Sequence, residues 1–141
     1  MVKPSHLTLL AITLGLAACG EETIPYHPVP NVPVTIEFRE TDLNYQQLQQ
    51  QGWQYINNAG VRGIIIIKEG SVYRAFDRNC PYQPTQACAR VNMHSSGLYL
   101  LDEDCCESTF DKQGQPTGGP APVGLRQYTV TQENGWIYIY N

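Results

Sequence analysis

The sequence predicts an all-β fold made of small antiparallel sheets. Three observations carry that expectation. Apolar residues recur in short, mostly alternating runs; clusters of Gly, Asn and Asp separate the runs; and the composition, with nine tyrosines, twelve glycines and ten prolines, favours strands and turns over helices.

Taken in order, the runs are Val34-Ile36-Phe38, Trp53-Tyr55, 63–67, 72–76, 98–101, Tyr128-Val130 and Ile137-Ile139. The four consecutive isoleucines 64–67 break the alternation, and an unbroken apolar run of this length predicts a central strand buried on both faces. Lys68-Glu69-Gly70-Ser71 follows as a tight hairpin connection, with turns also at Asn57-Asn58-Ala59-Gly60 and Glu133-Asn134-Gly135. The glutamine-rich stretch 45–51 predicts one short surface helix, with Asp42 as its N-cap.

The N-terminus follows a different logic. Lys3, an apolar run over 7–16 and then Leu16-Ala17-Ala18-Cys19-Gly20 form a secretory signal too short to span a bilayer. The residues before Gly20 resemble the lipobox of bacterial lipoproteins, which implies removal of residues 1–18, acylation of Cys19 and a membrane as the first partner. Residues 19–33 then form a lipidated, proline-rich tether, and 34–141 a single domain. Glu21-Glu22 resembles the acidic export tags of some surface-exposed lipoproteins. The expected location is the bacterial cell envelope, on the outer membrane in preference to the inner, facing the periplasm or the surface.

A formal net charge of −4 with no basic cluster excludes nucleic acid as a partner. Of five cysteines, lipidation removes Cys19 and leaves an even number, Cys80, Cys88, Cys105 and Cys106, which in an oxidising compartment read as disulfides. Joining the neighbours Cys105 and Cys106 closes a strained ring. The expectation is therefore two bridges, each from the 80–88 segment to the 105–106 segment, with the pairing between segments left open.

Those segments also carry a family resemblance. Ala75-Phe76-Asp77-Arg78-Asn79-Cys80-Pro81-Tyr82, and the stretch 102–110 followed by Gly114 and Gly119-Pro120-Ala121, resemble the two cluster-binding loops of a Rieske domain. Those loops read Cys-x-His and Cys-x-x-His-Gly-Ser-x-Phe, with a Gly-Pro-Ala turn after them. Ser108-x-Phe110, Gly114, the Gly-Pro-Ala turn, Leu125 and Tyr128-x-Val130 all fall in that register. The chain is most similar to short, lipid-anchored Rieske-like proteins with Cys-Cys in the second loop, and the resemblance implies three small antiparallel sheets. A Rieske [2Fe–2S] cluster is held by two thiolates and two imidazoles. Here the four ligand positions are Cys80, Tyr82, Glu103 and Cys106. Phenol and carboxylate suit a sulfide cluster poorly.

No histidine stands in: His6 falls in the signal, His27 in the tether, and His94 in a polar turn. The expectation is no cofactor and no bound metal. A metal site, if present, would use the four thiolates Cys80, Cys88, Cys105 and Cys106. Asp102-Glu103-Asp104 lacks the spacing of a calcium loop, because consecutive acids alternate in direction. The function expected is a non-catalytic, disulfide-stapled binding module that meets an envelope protein. In cytochrome-bc-type Rieske proteins a disulfide already ties the two loops together. The alternative is a [2Fe–2S] electron-transfer protein of a periplasmic redox chain, and a thiol–disulfide module using Cys105 and Cys106 ranks behind both.

Overall fold

The computed structural model describes residues 26–141; the signal segment, Cys19 and Glu21-Glu22 lie outside the described residues. The isoleucine run dictates the centre of the molecule. Strand β3 (Ile64–Glu69) follows strands β1 (Thr35–Arg39) and β2 (Trp53–Ile56) in the chain, and Ile64, Ile65, Ile66 and Ile67 are all fully buried. Successive side chains of a strand point to opposite faces. Ile64 and Ile66 accordingly join one core with Phe38, Leu48, Tyr73, Tyr128, Ile137 and Ile139. Ile65 and Ile67 join a second with Phe76, Val91, Met93, Leu100 and Phe110. Each buried isoleucine contributes about 1.5–3 kcal/mol, and β3 supplies two of them to each core.

Around β3 the strands β4 (Val72–Asp77), β9 (Gln127–Glu133) and β10 (Trp136–Tyr140) complete a six-stranded antiparallel sheet in the order β1-β10-β9-β4-β3-β2. The β3–β4 hairpin pairs Glu69 with Val72 around Gly70-Ser71, as the sequence predicts. The β9–β10 hairpin turns on Asn134-Gly135, both with positive φ (51° and 76°), which is the Asn-Gly signature of a tight two-residue loop. A short 3₁₀ turn (Leu43–Tyr45) and helix α1 (Gln46–Gln51) connect β1 to β2. Asp42 caps the 3₁₀ turn, accepting from the Asn44 N–H at 2.9 Å, and not α1 itself, which begins one residue later than the sequence suggests. Among the described residues no helix is long and apolar enough to cross a membrane.

A second, four-stranded antiparallel sheet packs on the Ile65 face. It is ordered β5-β6-β7-β8 and consists of β5 (Asn92–Met93), β6 (Leu100–Leu101), β7 (Thr109–Phe110) and β8 (Pro116–Gly118). Among the described residues there are two hydrogen-bonded sheets where the family resemblance implies three. The reason is β9, whose first half pairs with β4 and whose second half pairs with β10, fusing two small sheets into one.

The spacer segment also differs from expectation. From residue 26 its chain lies along the domain: Val29 is fully buried, its carbonyl accepts from Arg126 Nε at 2.7 Å, and Asn141 holds Asn31 and Val32.

Candidate functional site

Two loops rise from this scaffold, and each begins with a fully buried aspartate: Asp77 at the end of β4 and Asp102 just after β6. The first loop, 78–91, closes on itself. Val91 N–H donates to the Arg78 carbonyl at 2.7 Å, Cys80 N–H to Ala89 at 3.1 Å, and Asn79 bridges Arg90.

Asp77 anchors the base of this loop with two oxygens that take four donors. Val61 N–H (2.6 Å) and Tyr128 O–H (2.8 Å) reach Oδ2, while Asn79 N–H (2.8 Å) and Arg62 N–H (3.3 Å) reach Oδ1. Burial raises the Tyr128 phenol above its ordinary range, and the hydrogen bond and charge of Asp77 add to that against the opposing Arg126. Arg78 is buried with its guanidinium 3.7 Å from the Tyr55 ring centroid, and it donates to the Val91 carbonyl, Asn57 and Asn92. Burial lowers its pKa, Tyr55 raises it, Arg90 lowers it and Asp77 raises it.

The second loop, 102–108, is tighter. Asp102 N–H donates to the Ser108 carbonyl at 3.0 Å and Glu107 N–H to the Asp102 carbonyl at 2.9 Å, with Glu107 held at φ 53°. Buried Ser108 accepts from Ala121 N–H at 3.1 Å. A Cβ on Gly119 (φ +79°) would stand 2.6 Å from Ser108 Cα, so only glycine lets the Gly-Pro-Ala turn close over this loop.

The cysteines divide unequally. Cys88 and Cys105 form one bridge between the loops, Cα atoms 5.4 Å apart. Cys80 and Cys106 are thiols, Sγ atoms 3.4 Å apart. The two-bridge expectation is thus met once. The second pair faces across the loops but stands well beyond a bond length of about 2.05 Å. The Cys106 sulfur is engaged instead by Ser108 Oγ at 3.0 Å and Asp102 Oδ2 at 3.4 Å. A four-thiolate metal set is likewise not what the loops hold, since Cys88 and Cys105 are consumed by their bridge. Burial pushes the Cys80 thiol well above its ordinary range, a hydrogen bond from the Tyr82 backbone N–H works against that, and Cys106 and Asp102 add to the rise.

Of the other predicted ligand positions, Tyr82 is half-buried against the small-sheet core and Glu103 is exposed. The acidic trio does not alternate: Glu103 and Asp104 are both exposed in the turn, and Asp102 alone is buried and points at the thiols, a role that sequence reasoning missed. Both described histidines are tied elsewhere. His94 stacks on Tyr99 and contacts Ser96, while His27 accepts from Val29 N–H and reaches the Gly124 carbonyl at 3.0 Å. Among the described residues, the histidine, cysteine and acidic side chains that converge are Cys80, Asp102 and Cys106, their donor atoms all within 4.8 Å of one another. An open depression of about 330 Å³ lined by Tyr73, Gln127, Tyr128, Thr129 and Val130 lies on the large sheet and contains none of them.

Comparison with known proteins agrees with this architecture. The cyanobacterial plasma membrane Rieske protein PetC3 from Synechocystis PCC 6803 superposes with a TM-score of 0.54 at 17% identity, covering 77% of this chain and 98% of that one. The fold is Rieske-like. A second solved structure, from a complex of reduced oxygenase and oxidised ferredoxin in carbazole 1,9a-dioxygenase, gives a TM-score of 0.52 at 14% identity over 76% of this chain and 93% of that one. No family model and no curated protein matches the sequence.

A Rieske-like fold implies a [2Fe–2S] cluster between the two loops, ligated by two thiolates and two imidazoles. The residues here do not fit that group. The loops bring together two thiols and one carboxylate, and the two described histidines have other partners.

Proposed function

We propose that this chain is a lipid-anchored protein of the bacterial cell envelope whose Rieske-like domain has lost the iron–sulfur cluster and acts as a non-catalytic docking module. The observation that carries the reading is the donor set: Tyr82 packs on the core, Glu103 faces solvent, and neither of the two described histidines stands at the loops. The Cys88–Cys105 bridge ties the two loops together without calling on a cluster. Anchoring on Cys19 rests on the Leu16-Ala17-Ala18-Cys19 sequence, and the preference for the outer membrane over the inner on Glu21-Glu22. Docking to a protein partner is in keeping with a fold neighbour that belongs to an oxygenase–ferredoxin complex.

The test is the composition of the protein purified without chelator: visible spectrum, iron, acid-labile sulfide and thiols. A colourless protein free of iron and sulfide is expected. About two irons with sulfide would restore the electron-carrier alternative. Labelling with a radioactive fatty acid, lost in Cys19→Ser, tests the anchor independently.

A further inference from the structure

The two loop carboxylates are provided for unequally. Asp77 receives four N–H and O–H donors, whereas Asp102, equally buried, receives the Cys105 N–H at 3.1 Å on Oδ1 and the Cys106 thiol at 3.4 Å on Oδ2. A thiol is a weak donor, and a buried carboxylate needs several strong donors or a cation. The side of Asp102 that lacks them is the side that faces two sulfurs. In a tetrahedral zinc site, zinc–sulfur bonds of about 2.3 Å put the sulfurs about 3.8 Å apart. Cys80 and Cys106 stand at 3.4 Å, a few tenths of an ångström from that spacing.

We propose that Cys80, Cys106 and Asp102 bind a single Zn²⁺ ion, with the fourth position left to water or to a donor atom of the docking partner. The inference rests on the reading that no cluster occupies the loops. Zinc accepts thiolate sulfur and carboxylate oxygen together, whereas copper(I) is selected by sulfur. Two zinc–sulfur bonds and one zinc–oxygen bond form, the two thiol protons leave to solvent, and no electrons are transferred. The dication offsets two thiolates and one carboxylate, leaving the site at −1.

Two of the three ligands, Asp102 and Cys106, already have a supporting hydrogen bond of the kind that orients metal ligands. Cys105 N–H holds Asp102 at 3.1 Å. Ser108 Oγ lies 3.0 Å from the Cys106 sulfur, and because it accepts from Ala121 N–H its own proton is free for a thiolate. The Cys88–Cys105 bridge removes the two thiols that would otherwise compete. Cys80 is fully buried and Cys106 only partly so, which puts the open position toward the surface on the Cys106 side.

The experiment uses the full chain, purified anaerobically without chelator. About one zinc per chain is expected, with Cys80 and Cys106 resistant to alkylation until a chelator is added and Cys88–Cys105 oxidised throughout. Cobalt(II) loaded into the stripped protein should give intense thiolate-to-metal absorption, a readout that needs no variant to fold. Cys80→Ser and Cys106→Ser should abolish that absorption, and Asp102→Asn should keep the bridge while weakening zinc binding by about 10–100-fold or more. A Cys80–Cys106 disulfide in the purified protein overturns the zinc site and leaves the cluster-free reading standing. Free thiols that take up neither Zn²⁺ nor Co²⁺ at micromolar concentration do the same. Iron with sulfide overturns both.

Discussion

Asp77 and Asp102 occupy equivalent places, each opening one of the two loops and each fully buried, yet their surroundings differ in kind. Asp77 is saturated: backbone N–H groups from the 57–63 turn and from Asn79, with the Tyr128 hydroxyl, account for both its oxygens. Asp102 is left with acceptor capacity next to two sulfurs. The first aspartate serves the scaffold, fixing the β2–β3 turn, β4 and β9 to one another. The second serves whatever the loops hold. One carboxylate of a paired-loop scaffold can thus be purely architectural while its counterpart is kept for binding.

Mutations should separate the two roles, and the largest effect belongs to Asp77. Asp77→Ala orphans four donors at once and should lower unfolding free energy by on the order of 4 kcal/mol in urea titration, with or without zinc. A loss that depended on added zinc would break the contrast. Next comes the bridge between the loops: with 17 residues separating Cys88 from Cys105, the double change Cys88→Ser with Cys105→Ser should cost about 3 kcal/mol in the same titration.

Tyr128→Phe leaves Asp77 with three donors and should cost about 1 kcal/mol near neutrality. Its pH dependence sharpens the point. Because the folded-state phenol pKa is raised above its ordinary value of 10.0, the contribution of Tyr128 is whole below about pH 10 and is lost as pH rises toward the folded-state value. Wild type should therefore lose stability more steeply than Tyr128→Phe in alkaline denaturation series. The smallest effect is expected at Asp102. In chelator, Asp102→Asn should change stability by less than about 1 kcal/mol, since the amide oxygen still accepts from Cys105 N–H. A loss matching that of Asp77→Ala would show that Asp102 is architectural too.

Much of the scaffold was legible in the sequence. The isoleucine run announced a strand buried on both faces, Gly70-Ser71 and Asn134-Gly135 announced their hairpins, and the Ser-x-Phe and Gly-Pro-Ala signals placed the second loop. Strands β5, β7 and β8 were not legible, because two or three residues are too few for alternation to register. Proline-rich composition marked 19–33 as a spacer, but composition is blind to a single valine: Val29 finds a buried seat beside Arg126. At the candidate site the cysteines were visible and two cross-loop bridges were expected, of which one forms. The pairing was not readable, because it depends on which thiol Asp102 and Ser108 engage. Asp102 escaped for a related reason: the chain turns directly after it, so Glu103 and Asp104 both face solvent, and spacing alone does not show which acid is held inside.

The two faces of β3 make the domain one unfolding unit. Ile64 and Ile66 cannot leave their core while Ile65 and Ile67 remain seated in the other, because all four hang from the same six residues of backbone. Events at the loops are therefore transmitted as a population effect and need no movement of the far sheet. A ligand gripped near Cys106 shifts the whole native ensemble against its unfolded counterpart. The fluorescence of Trp136, on β10 beside the edge strand β1, should report that shift as faithfully as any probe placed in the loops.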